Sequence, residues 1–334
     1  MSRVSILRQS DPSPIDDIAV AERMVPSSDP DIMLYVRNKH PAGMTSFAGE
    51  RTVLFVHGST YPAHATFDLR LDGVSWMDYV ARRGFDVYLL DVRGYGKSTR
   101  PPEMDDPPES NPPLVRNEAA ISDVAAVVDD IIASRGVRCL SLIGWSWGTT
   151  LMASFACRFP DKVERLILYG PQWIRNTPSL AGGGRGPLGA YRKARRDHAY
   201  ARWTAGVPED RKAEVIPAGW FDALADTVWA SDPAAATAAP PFIHVPNGTL
   251  RETEEYWAAG KPYYDAAQVL APNLVVQGEW DQETPRYMAQ GLFDALVNAR
   301  PKRYVCLGEG THSIALERHR LSLFRTVQDF LEGA

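Results

Sequence analysis

From Arg51 onward the chain alternates short, nearly continuous apolar runs with longer stretches in which apolar residues recur every three or four positions. The first kind reads as strands buried on both faces, the second as helices with one apolar side. Six strands are predicted: RTVLFVHG (51–58), FDVYLLDV (85–92), CLSLIGWS (139–146), VERLILYG (163–170), NLVVQGEW (273–280) and RYVCLGEG (303–310). In NEAAISDVAAVVDDIIASRG, Ile121, Val124, Val128 and Ile131 share a helix face and Gly136 supplies the stop. The last segment repeats that rhythm with Leu316, Leu323, Val327, Phe330 and Leu331. Upstream, IAVAERMVPSSDPDIMLYVRNKH predicts two antiparallel strands joined at SSDPD, an antiparallel edge on the sheet. Strands alternating with helices predict an α/β fold around a mostly parallel sheet.

The alternation breaks once, between Pro171 and about Lys261. Gly-rich AGGGRGPLG, Ala/Pro-rich SDPAAATAAPP and many aromatic residues fall there. A segment that long is not a plain loop. It predicts a mainly helical cap over residues 171–261, inserted into a core built from 1–170 and 262–334. Trp203, Trp220, Phe221, Trp229, Tyr256 and Trp257 would give the cap its own small core, or meet a ligand; the pattern leaves both open.

Composition narrows the picture. With 334 residues, 45% hydrophobic and 23% charged, the chain is neither disordered nor membrane-embedded in type. A net charge of −5 argues against a broad footprint for nucleic acid or anionic membrane, leaving a small-molecule substrate as the expected partner, with a monomer or homodimer equally compatible. Cys139, Cys157 and Cys306 lie far apart without metal-ligand spacing and read as reduced core residues. MSRVSILRQSDPSPIDD has no apolar stretch long enough for a signal peptide, and no run of about 18 apolar residues occurs, so a soluble cytoplasmic protein is expected.

Candidate chemistry gathers where predicted strands end. Gly144-Trp145-Ser146-Trp147-Gly148 interrupts an apolar strand just before a helical pattern, the setting in which G-x-S-x-G marks a nucleophile on a sharp turn. Bulk at 144 or 148 would strike neighbouring backbone. A serine hydroxyl needs a base, and the base an orienting acid. His312, after the last strand, is the candidate base; His57, inside VHGS, reads as a loop support. Asp281 follows another strand and is the candidate acid, with Glu279 still at the strand end; the position after VERLILYG offers only Pro171 and Gln172. The backbone N–H groups of Trp147 and Ser59 are the candidate oxyanion donors.

The order Ser146, Asp281, His312, with HGST upstream and DVRGYGKS (91–98) after the second parallel strand, resembles the α/β-hydrolase superfamily from Arg51 to Leu331. The resemblance implies a Ser146–His312–Asp281 triad, an eight-stranded mostly parallel sheet, a helical cap after the sixth strand, and neither metal nor organic cofactor. Relatives that open epoxides or remove halogens use an aspartate where this chain has Ser146. Trp147 and FPDKVERLILYGP are similar to proline iminopeptidases, but HGSTYPAH departs from their Gly- and Pro-rich loop. The expected activity is carboxylesterase-like hydrolysis of an ester or lactone; amide hydrolysis, carbon–carbon bond hydrolysis and a non-enzymatic ligand receptor are the alternatives. Tyr61, Trp145, Trp173 and Trp280 would line an apolar pocket, or only pack beneath the cap. His64 would contact substrate or lie exposed, and Asp91 and Arg93 would pin loops together.

Overall fold

The apolar runs become strands whose side chains alternate between two cores. In β3 (Thr52–Val56), Leu54 and Val56 enter one core while Val53 and Phe55 enter the other. A computed structural model of the protein describes residues 17–182, 187–236 and 238–333. Its main sheet has eight strands in the order β1-β2-β4-β3-β5-β6-β9-β10. β1 (Ile18–Pro26) and β2 (Met33–Pro41) form the antiparallel edge. β2 also runs antiparallel to β4 (Asp86–Leu90), whereas β4, β3, β5 (Leu140–Trp145), β6 (Val163–Tyr169), β9 (Asn273–Gly278) and β10 (Lys302–Leu307) are mutually parallel. The carboxyl ends of the parallel strands therefore share one edge of the sheet, where ligands of open α/β sheets collect.

Helices cover both faces. α1 (Ala63–Thr66) follows the loop after β3, and α2 (Trp76–Ala81) packs with α10 (Arg320–Leu331) on one side through Trp76, whose ring stacks on Phe324. On the other side lie α3 (Asn117–Arg135), α4 (Trp147–Arg158) and α9 (Arg286–Ala295). Ile121, Val124, Val128 and Ile131 are all buried, as their spacing predicts, and Gly136 ends α3 in the left-handed conformation.

The segment between β6 and β9 is less uniform than a helical cap. It contains α5 (Arg196–Trp203), α6 (Lys212–Val215), α7 (Trp220–Trp229) and α8 (Gly248–Glu252), but also a two-stranded antiparallel sheet, β7 (Tyr191–Arg195) with β8 (Phe242–Pro246). Trp203, Trp220, Trp229 and Trp257 are buried in it.

Two expectations change. β10 is not buried on both faces: as the sheet's edge strand it leaves Arg303 and Cys306 exposed. Cys306 is thus no core residue, and Cys139 and Cys157 are half-buried, though all three are free thiols. Among the described residues no helix is long and apolar enough to cross a membrane.

Candidate active site

β5 ends at Trp145 and α4 begins at Trp147, which leaves Ser146 alone to turn the chain. Its backbone sits at φ 55°, ψ −118°, a strained conformation for a residue with a Cβ. The turn is held by Ser146 N–H donating to Tyr169 O (2.9 Å) and by Thr149, whose N–H and Oγ1 both donate to Ser146 O (3.0 and 2.5 Å). The flanking glycines permit close approach: a Cβ on Gly144 would lie 2.4 Å from Gly148 O, and one on Gly148 would lie 2.4 Å from Val56 O. The nucleophile candidate is thereby pressed against the end of β3.

His312 lies in the loop after β10. Its Nδ1 is 2.8 Å from Asp281 Oδ2, which fixes the tautomer with the proton on Nδ1 and the lone pair on Nε2. Asp281 is buried and receives Thr284 N–H and Thr284 Oγ1, each at 2.8 Å, so its carboxylate is held from three directions. Gly170, at φ 55°, makes room: a Cβ there would come within 3.1 Å of the His312 ring. The His312 carbonyl is itself gripped by Trp145 Nε1 (2.9 Å) and Tyr169 Oη (2.6 Å). One residue earlier, Thr311 donates its N–H and its hydroxyl to Glu317, which also receives Trp203 Nε1 at 2.7 Å. Burial pushes the Glu317 carboxyl up to about 7, despite those three donors.

The loop after β3 is set by His57. Buried, its Nε2 accepts from Val92 N–H (3.0 Å) and its Nδ1–H donates to Gly58 O (2.6 Å); burial lowers its pKa and keeps it neutral. In a trans peptide the Ser59 N–H points opposite to Gly58 O, so this bond aims the Ser59 donor. Ser59 O is held from the far side by Tyr95 Oη (3.1 Å) and Arg192 Nη2 (3.2 Å). Among the described residues neither the Ser59 nor the Trp147 N–H has a backbone or side-chain acceptor outside regular helix and strand pairing. Trp147 N–H also opens α4, whose positive dipole end faces the same place.

Ser146, His312 and Ser59 border one cleft of about 570 Å³, mouth included. Tyr61 and Trp145 line it as expected; Trp173 and Trp280 do not. Trp173 is turned into the core against Tyr264, and Trp280 lies near Arg211 outside the cleft. Trp147 is wholly buried, its indole bonded to Asn117 Oδ1 (2.7 Å). The two tryptophans of GWSWG thus divide: Trp145 walls the cleft and holds the His312 loop, whereas Trp147 packs the elbow from behind. His64 is neither exposed nor at the cleft; it is buried with Nδ1 2.6 Å from Asp91 Oδ2. Asp91 also ties down Lys97 N–H, and Arg93 binds Asp123, both of them loop pins. Glu279 is exposed and accepts Glu309 N–H.

Several lining residues carried no signal in the sequence: Thr60, Leu180, Arg202, Gln282 and Glu283. Arg202 Nε donates to Glu283 Oε2 at 3.1 Å, a pair 81 residues apart. Trp203 also lines the cleft. Among the described residues no group of three or more His, Cys, Asp and Glu side chains is gathered as a metal would need.

Residues 51–203 match the family model for the alpha/beta hydrolase fold. The chain is similar to serine hydrolase BPHL of Mus musculus, 23% identical over 296 residues, covering 85% of this chain and 80% of that protein. It is also similar to epoxide hydrolase 2 of Siraitia grosvenorii, 26% identical over 144 residues, 43% of this chain and only 38% of that one. Similar solved structures include a serine hydrolase involved in carbazole degradation (TM-score 0.61, 17% identity, 95% of this chain and all of that one). A meta-cleavage product hydrolase from Pseudomonas fluorescens IP01 is another (TM-score 0.62, 13% identity, 93% and 97%). At such identities the structural likeness speaks for the fold.

Proposed function

We propose that this chain, which has the α/β-hydrolase fold, is a serine hydrolase that cleaves a carboxylic ester or lactone of a small, largely apolar substrate. The observation that carries the reading is the strained Ser146 on the same cleft as His312, whose Nδ1 is bonded to buried Asp281. Ser146 Oγ attacks the substrate carbonyl as His312 Nε2 takes its proton. Asp281 stabilises the imidazolium, and the N–H groups of Ser59 and Trp147 receive the oxyanion. His312 then protonates the departing alkoxide, leaving an acyl group on Ser146. Water, deprotonated by His312, releases the acid and restores the serine.

The cleft's size suits a small molecule, and Tyr61, Trp145, Leu180 and Trp203 supply its apolar wall. The test is turnover of 4-nitrophenyl butyrate together with labelling by a fluorophosphonate. The expected result is a single adduct on Ser146 and loss of both signals in Ser146→Ala. Turnover surviving that substitution in a folded protein would overturn the mechanism. Turnover confined to amide or β-diketone substrates in a wider panel would replace ester cleavage with one of those reactions.

A further inference from the structure

We propose that the cleft recognises a carboxylate on the substrate, through the guanidinium of Arg202 and the hydroxyl of Thr60. This rests on the serine-hydrolase reading for its chemistry, and it adds the substrate class: an apolar ester or lactone that also bears an acid group.

The donors outnumber the acceptors. Arg202 Nε donates to Glu283 Oε2 (3.1 Å), Nη2 lies 3.1 Å from Glu283 Oε1, and Nη1 donates to Thr60 Oγ1 (3.2 Å). A guanidinium has five N–H groups, so one on each terminal nitrogen is left without an acceptor among the described residues. Thr60 sharpens the imbalance. Its oxygen takes Arg202 Nη1 and, at 3.4 Å, Arg192 Nη2, which occupies both lone pairs. The Thr60 hydrogen must then donate elsewhere, and no acceptor for it exists among the described residues. Thr60 and Arg202 both line the cleft that Ser146 borders.

The charges agree. Arg175 and Arg192 bond to carbonyl, amide and hydroxyl oxygens, with no carboxylate within ion-pair distance among the described residues, so with Arg202 three cations lie within electrostatic range of the Glu283 carboxylate. The nearby Asp281 is committed to His312 and Thr284. Burial draws the Arg192 guanidinium down to about 10, which still leaves it charged near neutrality. An amine would find little: the Glu283 side chain is 5% exposed with both oxygens on Arg202, whereas the Arg202 side chain is 26% exposed. The open partner of the pair is the cation.

Three substrates separate the possibilities: 4-nitrophenyl butyrate (neutral), mono-4-nitrophenyl glutarate (acid on the acyl side) and 4-(butyryloxy)benzoate (acid on the leaving group). The expected result is a kcat/KM at least 10-fold above the neutral ester for one of the acids, the arm that responds naming the side that faces Arg202. Loss of a charge-assisted hydrogen bond is expected to lower that ratio by about 10- to 100-fold in Arg202→Met and by about 3- to 10-fold in Thr60→Val, mainly through KM. Thr60→Val guards against misfolding of the arginine variant, since it leaves the Arg202–Glu283 pair in place. A neutral ester preferred over both acids, or a ratio unmoved by both substitutions, would overturn the proposal; so would Thr60→Val slowing all three substrates equally, which would make Thr60 an oxyanion donor instead. Calorimetry on Ser146→Ala with each of the two acids and its methyl ester reads recognition without turnover on either side of the ester. Tighter binding of the acid in a protein that hydrolyses nothing would refute only the hydrolase reading; hydrolysis without that preference would refute only the carboxylate site.

Discussion

Gly148→Ala sets two calculable effects against each other. Gly148 lies in the first turn of α4, where alanine is favoured over glycine by about 1 kcal/mol. The added Cβ, however, would stand 2.4 Å from Val56 O and 2.7 Å from His57 O. An ordinary C···O contact is about 3.3 Å, so α4 and the end of β3 would have to part by roughly 0.9 Å. Both contacts are backbone, one at the end of β3 and one just past it, so neither can swing aside; overpacking of this kind costs about 1–3 kcal/mol, leaving a net loss of about 0–2 kcal/mol. The same shift moves His57, and with it the Gly58–Ser59 peptide whose N–H we propose as an oxyanion donor. A displacement near 1 Å at the reacting centre costs on the order of 10²-fold, so activity should suffer more than stability. Urea unfolding and kcat/KM for 4-nitrophenyl butyrate measure the two. A variant stabilised by the helix increment with kcat/KM within about threefold of the parent would show that the elbow is not packed as described.

The strain at Ser146 predicts that Ser146→Gly is more stable than Ser146→Ala by about 1 kcal/mol, since relief of about 1–3 kcal/mol outweighs glycine's unfolded-state entropy. Thermal unfolding of the two inactive variants checks it, and equal stability would count against the φ of 55°. Asp281→Asn should lower kcat by on the order of 10³- to 10⁴-fold, while Glu279→Gln, at a side chain that accepts only Glu309 N–H among the described residues, should change it less than about threefold. The opposite ranking would reassign the acid. Glu317 predicts a pH effect on stability. Its folded pKa, about 7, lies above the unfolded value near 4.5, so the folded state holds the extra proton between them. That contribution is full below pH 4.5 and is lost as pH rises through 7, a decline of a few kcal/mol at most. Unfolding free energies from pH 5 to 8 should fall more steeply in the parent than in Glu317→Gln; parallel profiles would exclude Glu317 as their source.

What the sequence could carry follows from how local each feature is. β3, β5, β6 and β9 are legible because strands largely buried on both faces carry nearly continuous apolar runs, and the elbow is legible because only glycine fits at 144 and 148. β7 and β8 are not: Tyr191–Arg195 carries three cations, and its pairing with Phe242–Pro246 is a long-range event. The cleft wall was only half legible for a related reason. Beyond the end of β9 the direction of each side chain is set by the loop, so Trp280, the more conspicuous residue, turns away while Gln282 and Glu283 face in. Arg202 was invisible because its meaning lies in Thr60 and Glu283, supplied by two other loops.

The neighbouring positions of β6 and β9 have a practical consequence. Because Leu166 to Tyr169 pair in parallel register with Asn273 to Val276, the chain leaves the sheet at the carboxyl end of β6 and re-enters at the amino end of the adjacent strand, β9. The intervening stretch is therefore an exchangeable cassette as far as the sheet is concerned: a different one could be grafted without disturbing strand order. Yet Arg192 and Arg202 travel with it, and they grip Ser59 and Thr60 on the core. Swapping the cassette would replace Leu180, Arg202 and Trp203 on the cleft wall while leaving Ser146, Asp281 and His312, and the core's own lining of Thr60, Tyr61 and Glu283, in place.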